Sequence, residues 1–509
     1  MNSEKILHTS FPKRSFPLFW LLFIALLNIA LRINSIGHAL TWDEAWILCA
    51  IKSLAEGVDT GFQNQLWRHP PVYLGFGLLL APLKEGFDMR MQMLSLGLST
   101  VALLVFVTLV SYLFGRRLGL LTALVYTLLP GTMLFDTWIK RDALVTLFCS
   151  MALFAFYKRK NILAGIFLGL GFLSKETALF FAVTLMILII LHTPPKNIFK
   201  TFLVVFVPTV IVSGWWYVFF HQGLSGYTNF FHGISEEAAE FSKPWWYYFT
   251  KLQYDIGYSG ILLFAFGILA LLLREKNNGH TRQLLQKLPR RRLLPLFVLL
   301  PAYIILSVSH GKPPWITISL YPFFALIIAV GWTLLLKLCL KMAGKSFLPM
   351  RAGVSWLVSV FIILSLAHNV LPFNHIAQLQ KMSPSTVSTM RTSYEMAEAV
   401  NQLTAEKERL LLLPMIYRIG PTMPDPIFYW HVKPLQIFKN NNIHIRYDEF
   451  KYLVIRNSIT WALLFPIDGS NQLDIYEQSV RDIKSWGYKI TNGVLLRVDS
   501  YWQDREGNN

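Results

Sequence analysis

Charge is scarce in this chain. Asp, Glu, Lys and Arg make up 15% of its 509 residues, against about 25% in an ordinary soluble protein. That excludes a cytosolic enzyme of the usual kind, and a hydrophobic share of 54% excludes disorder. Cysteine is scarcer. Cys49, Cys149 and Cys339 fall in three different regions, so neither a disulfide framework nor a metal cluster is expected. No fixed-period repeat, no low-complexity tract and no cleavable signal pattern stands out, so the first apolar run is taken as the first span.

What the chain has instead is apolar length. Its mean hydropathy is +0.44, and runs such as 16–31 and 293–309 approach or reach the ~20 residues that cross a bilayer. Eleven spans are expected, at 16–35, 90–114, 118–135, 142–157, 161–173, 177–193, 201–220, 256–273, 293–309, 316–335 and 352–373. The fold class is thus a polytopic α-helical membrane protein. From Asn374 the composition changes, with β-like runs at 409–413, 452–456 and 494–498 and helix candidates at 394–403 and 476–486. This points to a second unit, 374–509, a soluble α/β domain following a transmembrane domain over 1–373.

The net charge of +18 first suggests nucleic acid, but its placement says otherwise. Residues 374–509 hold 15 Lys/Arg against 14 Asp/Glu, so nearly all the excess lies in the membrane part. There it gathers in alternate loops, at 13–14, 116–117, 158–160, 196–200, 274–292 and 337–351. With the N-terminus inside, all of these loops fall on the inner side, the positive-inside pattern. No nucleic-acid partner is implied. An odd span count puts the tail outside, together with two long outer loops, 36–89 and 221–255.

The first outer loop carries the sharpest signal. Thr41-Trp42-Asp43-Glu44 opens a helix, and Thr41 with Glu44 has the spacing of a capping box, an adequate structural reason for Glu44. Asp43 lines up with Ile47, Ala50 and Leu54 on the apolar stripe, where a carboxylate is costly unless it is paired. Stabilisation by the helix N-terminus is one account of it; a base facing a site at the membrane surface is the favoured one. His69, before Pro70-Pro71, reads alone as an ordinary loop histidine. Lys140-Arg141-Asp142 is either a snorkelling interfacial cluster or an anion site suited to phosphate. Ser174-Lys175-Glu176 is either a self-neutralised helix start or part of the same face, and Lys312 lies in a Gly- and Pro-fixed loop on that face.

In this order the pieces resemble the GT-C glycosyltransferases that use polyprenyl-phosphate sugars. They are most similar to the branch of the dolichyl-phosphate-mannose protein mannosyltransferases and the lipid A aminoarabinose transferases. The matching segments are Trp42-Asp43-Glu44, His69-Pro70-Pro71-Val72-Tyr73, Lys140-Arg141-Asp142, residues 171–176, residues 243–248 and residues 306–312. Arg68-His69 stands where the lipid A branch has Glu-Lys, and Pro313-Pro314-Trp315 where an Arg-Tyr step is common.

The resemblance implies an inverting transfer from a polyprenyl-phosphate sugar to an acceptor hydroxyl of a lipid, protein or glycan, at the outer face of a bacterial inner membrane. Asp43 is then the expected base, with Glu44 assisting. Arg141, Lys140, His69 and Lys312 are expected on the donor phosphate, and Asp142 and Lys175 are expected to orient substrate. No cofactor or metal is expected. A transporter of an envelope metabolite or lipid-linked precursor is the principal rival, and a non-catalytic envelope scaffold a third.

Overall fold

Each apolar run of the sequence is helical wherever this computed structural model describes it. The described residues are 18–56, 70–82, 86–219, 242–272, 289–342 and 348–368, with His232, isolated positions between 374 and 398, five strands between 409 and 497, and Arg481. Four helices are long and apolar enough to cross a membrane by length and composition: Phe87–Phe114, Pro195–Phe219, Tyr247–Leu272 and Ile318–Met342. Leu18–Arg32, Asp142–Tyr157, Asn161–Phe172, Leu179–His192, Leu294–Val308 and Leu348–His368 are shorter in whole or in their apolar part.

Two expected spans take a different form. The run 118–135 divides into Arg116–Thr127 and Pro130–Phe135. Leu129, held extended at ψ 133° before Pro130, makes the break, because proline disfavours helical geometry in the residue before it. The helix expected from 256 begins at Tyr247 and is interrupted at Gly257, with φ 71° and ψ 166°, a backbone region that is essentially glycine's own. The segment 36–89, expected as the first outer loop, contributes helices Trp42–Glu56 and Val72–Leu80.

Glycines set the closest helix contacts. A Cβ on Gly331 would stand 1.8 Å from the Leu263 carbonyl oxygen, and one on Gly267 2.0 Å from that of Ile327. The helices Tyr247–Leu272 and Tyr321–Met342 therefore meet backbone to backbone. Gly165 and Gly169, four apart, do the same for Asn161–Phe172 against Ile198–Phe219, where Thr209 donates to the Gly165 carbonyl at 3.0 Å. Small residues at this spacing are a general device for close helix approach in membranes. Gly331→Val should lower stability by at least about 1–3 kcal/mol, seen as a lower melting midpoint in detergent. Gly353→Val, with nothing within 4 Å of the added carbon, should leave the midpoint in place.

Beyond the last helix, five strands form one sheet in the order β2-β1-β3-β5-β4. They are β1 Arg409–Leu413, β2 Gln436–Lys439, β3 Trp461–Leu464, β4 Ile490–Thr491 and β5 Leu495–Arg497. β1 pairs in parallel with both β2 and β3, and β5 is antiparallel to β3 and β4. β1 and β5 fall on two of the runs read as β-like. The third, 452–456, lies outside the described residues, as do most positions of the two helix candidates.

Candidate active site

Loops from distant parts of the chain converge on Asp43. It occupies the first turn of Trp42–Glu56, and its Oδ2 accepts from Lys140 Nζ at 2.7 Å. The carboxylate is 35% exposed and the lysine 7%, so the acid is partly open while its cation is enclosed. Lys140 lies 3.8 Å from the ring centre of Trp315 and 4.7 Å from that of Trp138, a cation–π cage. Burial pushes its pKa down, as does the neighbouring Lys175; Asp43 and Asp142 act against them, and the result is about 8.

The second carboxylate is also paired. Asp142, buried at the start of Asp142–Tyr157, accepts from Lys175 Nζ at 2.9 and 2.7 Å through its two oxygens. Lys175 is extended, at φ −168° and ψ 152°, between Asn161–Phe172 and the 3-10 turn Glu176–Ala178. Arg141 differs from both lysines. It has no carboxylate partner among the described residues, and its Nη1 is buried without a hydrogen-bond acceptor. Its charge reaches the Tyr73 hydroxyl, which burial raises well above the tyrosine range while Arg141 pulls the other way. An Arg lacking a counter-ion, between two neutralised acid–lysine pairs, leaves a surplus positive charge.

Glu44 lies in the interior. Its Oε2 accepts from the Thr41 backbone N–H and hydroxyl, both at 2.9 Å, and its Oε1 from the Ile139 backbone N–H and His38 Nε2, both at 3.0 Å. One half of the capping box is thus present, the carboxylate on the Thr41 N–H, but the Thr41 hydroxyl turns to the same carboxylate instead of capping the helix. Burial would raise Glu44; the His38 imidazole and the backbone donors outweigh it and hold its pKa down to about 2.

Lys312 does not join the ion pairs. It is buried, and its ammonium donates to the carbonyl of Ser309 in its own loop. That loop is braced from below, where Tyr248 donates to the Pro313 carbonyl at 3.1 Å. His69 lies outside the described residues. Among the described residues, no group of three His, Cys, Asp or Glu is placed to hold a metal ion.

Two buried networks escaped the sequence reading. Arg32 Nε meets Asp136 Oδ2 at 2.7 Å with both side chains enclosed, and Tyr126 and Thr132 complete the set at 2.9 and 2.8 Å. This fixes the end of the first helix to the segment leading into Lys140. Removing one partner of such a pair costs about 3–5 kcal/mol. Arg32→Leu should therefore lower the melting midpoint sharply, and far more than the double replacement Arg32→Met with Asp136→Leu. The second network joins Lys251 to Asp255, with Thr317 3.1 Å from Lys251 and Tyr321 2.8 Å from Asp255. It supports the segment after Trp315.

The fold is similar to that of known proteins. Residues 68–217 match the family model of dolichyl-phosphate-mannose-protein mannosyltransferases. Among solved structures, ArnT from Cupriavidus metallidurans bound to undecaprenyl phosphate superposes at a TM-score of 0.58 and 12% identity, covering 94% of this chain and 98% of that one. The apo oligosaccharyltransferase of Archaeoglobus fulgidus does so at 0.53 and 12%, covering 92% of this chain and 73% of that one. No curated protein sequence matches. At such identities the structures establish fold. The chain thus shares its fold, over nearly its full length, with these two transferases, and within that fold residues 68–217 are similar to the dolichyl-phosphate-mannose-protein mannosyltransferases.

Proposed function

We propose that the protein is an inverting glycosyltransferase. It moves a sugar from a polyprenyl phosphate to an acceptor hydroxyl of a lipid, protein or glycan at the outer face of a bacterial inner membrane. The observation that carries the reading is the contrast between Asp43, a partly exposed carboxylate paired with Lys140, and Arg141, the next residue after that lysine, a cation with no counter-ion among the described residues. A base and an anion site are the two groups that this chemistry needs.

In the proposed reaction the acceptor hydroxyl gives its proton to Asp43 as its oxygen bonds to the anomeric carbon. The bond from that carbon to the phosphate oxygen breaks, and the electron pair leaves with the phosphate. A single displacement inverts the anomeric centre. Asp43 Oδ2 is taken by Lys140, so Oδ1 is the oxygen for the acceptor. Arg141 receives the growing phosphate charge, with Lys312 and His69 as further contacts and Lys140 contributing through space. Asp142 and Lys175 hold each other and thereby the backbone at Arg141. Glu44, with both oxygens occupied, positions Asp43 and does not exchange protons with substrate. Undecaprenyl phosphate, bound by the structural neighbour, supports a polyprenyl-phosphate donor.

The proposal includes the eleven-span topology, with the sheet-bearing region 374–509 as an outer domain after the transmembrane domain 1–373. A transporter is the second reading, favoured by one observation: Lys251 and Asp255 are buried in a helix broken at Gly257, a feature of transport pathways. That pair is internally satisfied by Thr317 and Tyr321. Incubating protein-bearing membranes and envelope extract with a panel of polyprenyl-phosphate sugars separates the two. Release of free polyprenyl phosphate from one donor supports transfer. Uptake of a solute without release supports transport.

A further inference from the structure

We infer that His38 is held as an imidazolium and clamps the loop that carries Asp43 to the loop that carries Lys140, giving the site an alkaline limit of its own. This rests on the transferase reading above for its catalytic consequence, though not for the clamp itself.

The argument begins with the ring nitrogens. Nδ1 lies 2.8 Å from the Ser35 carbonyl oxygen and Nε2 3.0 Å from Glu44 Oε1. A carbonyl oxygen only accepts, and an ionised carboxylate only accepts, so these two contacts call for a proton on each nitrogen; the Gln92 amide nitrogen, at 3.5 Å from Nε2, is the more distant neighbour of that nitrogen. Glu44 is kept ionised by His38 itself and then by the backbone N–H groups of Thr41 and Ile139, so the two groups hold each other in the charged form, and the Thr41 hydroxyl donates to the same carboxylate. Burial disfavours the charged ring, but the Glu44 carboxylate and the hydrogen bonds outweigh it, and His38 sits above the ordinary histidine pKa.

The clamp spans the site. Glu44 Oε1 receives His38 and the Ile139 N–H at once. Asp43 immediately precedes Glu44 in the chain and Lys140 immediately follows Ile139, and these two form the ion pair at the centre of the site. His38 is itself fixed from the helix Phe87–Phe114: Gln92 donates to its carbonyl at 3.2 Å and accepts from the Gly37 N–H at 2.6 Å. Gly37, at φ 83°, makes the turn into the clamp. The charged and titratable groups facing this corner are Glu44, Asp88 from Phe87–Phe114, and Tyr394. Tyr394 accepts from the Leu40 N–H at 2.7 Å and, with its pKa raised by burial to about 12, stays neutral throughout the range considered.

The sign follows from the raised pKa. The clamp's contribution is full below the unfolded histidine value near about 6.5 and is lost as pH rises through the folded value. Above that value one ring nitrogen presents a lone pair to an oxygen, and Glu44 loses the charged partner that orients it, leaving the Ile139 and Thr41 donors to hold the two loops together.

His38→Asn tests this, because asparagine keeps a donor and does not titrate. The readout is the ratio of wild-type to variant turnover of a polyprenyl-phosphate sugar, from about pH 6 to pH 10, in which other ionisations such as that of Lys140 cancel. A charged hydrogen bond of ordinary strength gives a ratio of about tenfold or more at neutral pH, falling towards one at high pH. A ratio that stays constant with pH, or equals one throughout, overturns the inference. The difference in melting midpoint between the two proteins is followed over the same range and needs no donor. It should be widest at low pH and close as pH rises; a difference independent of pH also overturns the clamp. If neither protein consumes any donor, the transferase reading fails while the melting data still decide the clamp. Should His38→Asn not fold, His38→Gln takes its place in both measurements.

Discussion

Asp43→Asn in a folded, membrane-inserted protein should cut release of polyprenyl phosphate by about 10²–10⁴-fold, the usual contribution of a positioned general base. Asparagine keeps the shape and offers Lys140 a carbonyl oxygen in place of Oδ2, so the loop geometry at 2.7 Å has a substitute. What it lacks is the ability to take a proton. The rate loss should therefore fall on turnover, with donor binding largely retained. Asp43→Glu should recover part of the rate, because a carboxylate returns at a displaced position. Equal rates for wild type and Asp43→Asn at matched protein levels would leave Asp43 as a helix-terminal charge paired with a lysine, and would place the base elsewhere.

Arg141→Ala should lower turnover by about 10²–10³-fold, the scale for removing one group that stabilises developing charge. The effect is large because Arg141 has no carboxylate to neutralise it among the described residues, and its Nη1 is enclosed without an acceptor. A donor phosphate would supply that missing partner. Arg141→Lys should restore the charge but not the planar fork, and so recover only part of the rate. Comparison with Lys175→Met separates two effects. Losing Lys175 leaves Asp142 buried and unpaired, which should damage stability, whereas losing Arg141, a partly buried cation without a carboxylate partner among the described residues, should leave the melting midpoint nearly unchanged. An unaltered rate in Arg141→Ala would remove it from the anion site.

Much of the helical scaffold was legible in the sequence, because crossing a bilayer demands long apolar runs and little else supplies them. Its interruptions were less so. Pro130 carried a local signal, and the broken run around it follows from proline's effect on Leu129. Gly257 carried none, since a glycine at positive φ looks in sequence like any other helix glycine. The capping spacing of Thr41 and Glu44 was visible, and half of that box is formed.

Pairings across the chain were beyond reach. Asp43 and Lys140 stand 97 positions apart and Asp142 and Lys175 33 apart, so only helix packing brings them together. For the same reason sequence reasoning placed Lys140 and Arg141 together on the donor phosphate, while the structure pairs Lys140 with Asp43 and leaves Arg141 without a counter-ion among the described residues. Lys251 and Asp255 had a legible i,i+4 spacing. They were missed because the helix was expected to begin at 256, which put both residues in a loop. His38 was missed because its significance lies in what its two nitrogens face, and spacing does not encode that.

The most direct test of the account is a stoichiometric one. Purified protein in lipid vesicles is given a polyprenyl-phosphate sugar and envelope acceptor, and free polyprenyl phosphate and transferred sugar are measured together for wild type and Asp43→Asn. The account predicts one polyprenyl phosphate released per sugar transferred by wild type, with inverted anomeric configuration, and almost none by the variant. Sugar transfer with retained configuration, or equal release by both proteins, would contradict it.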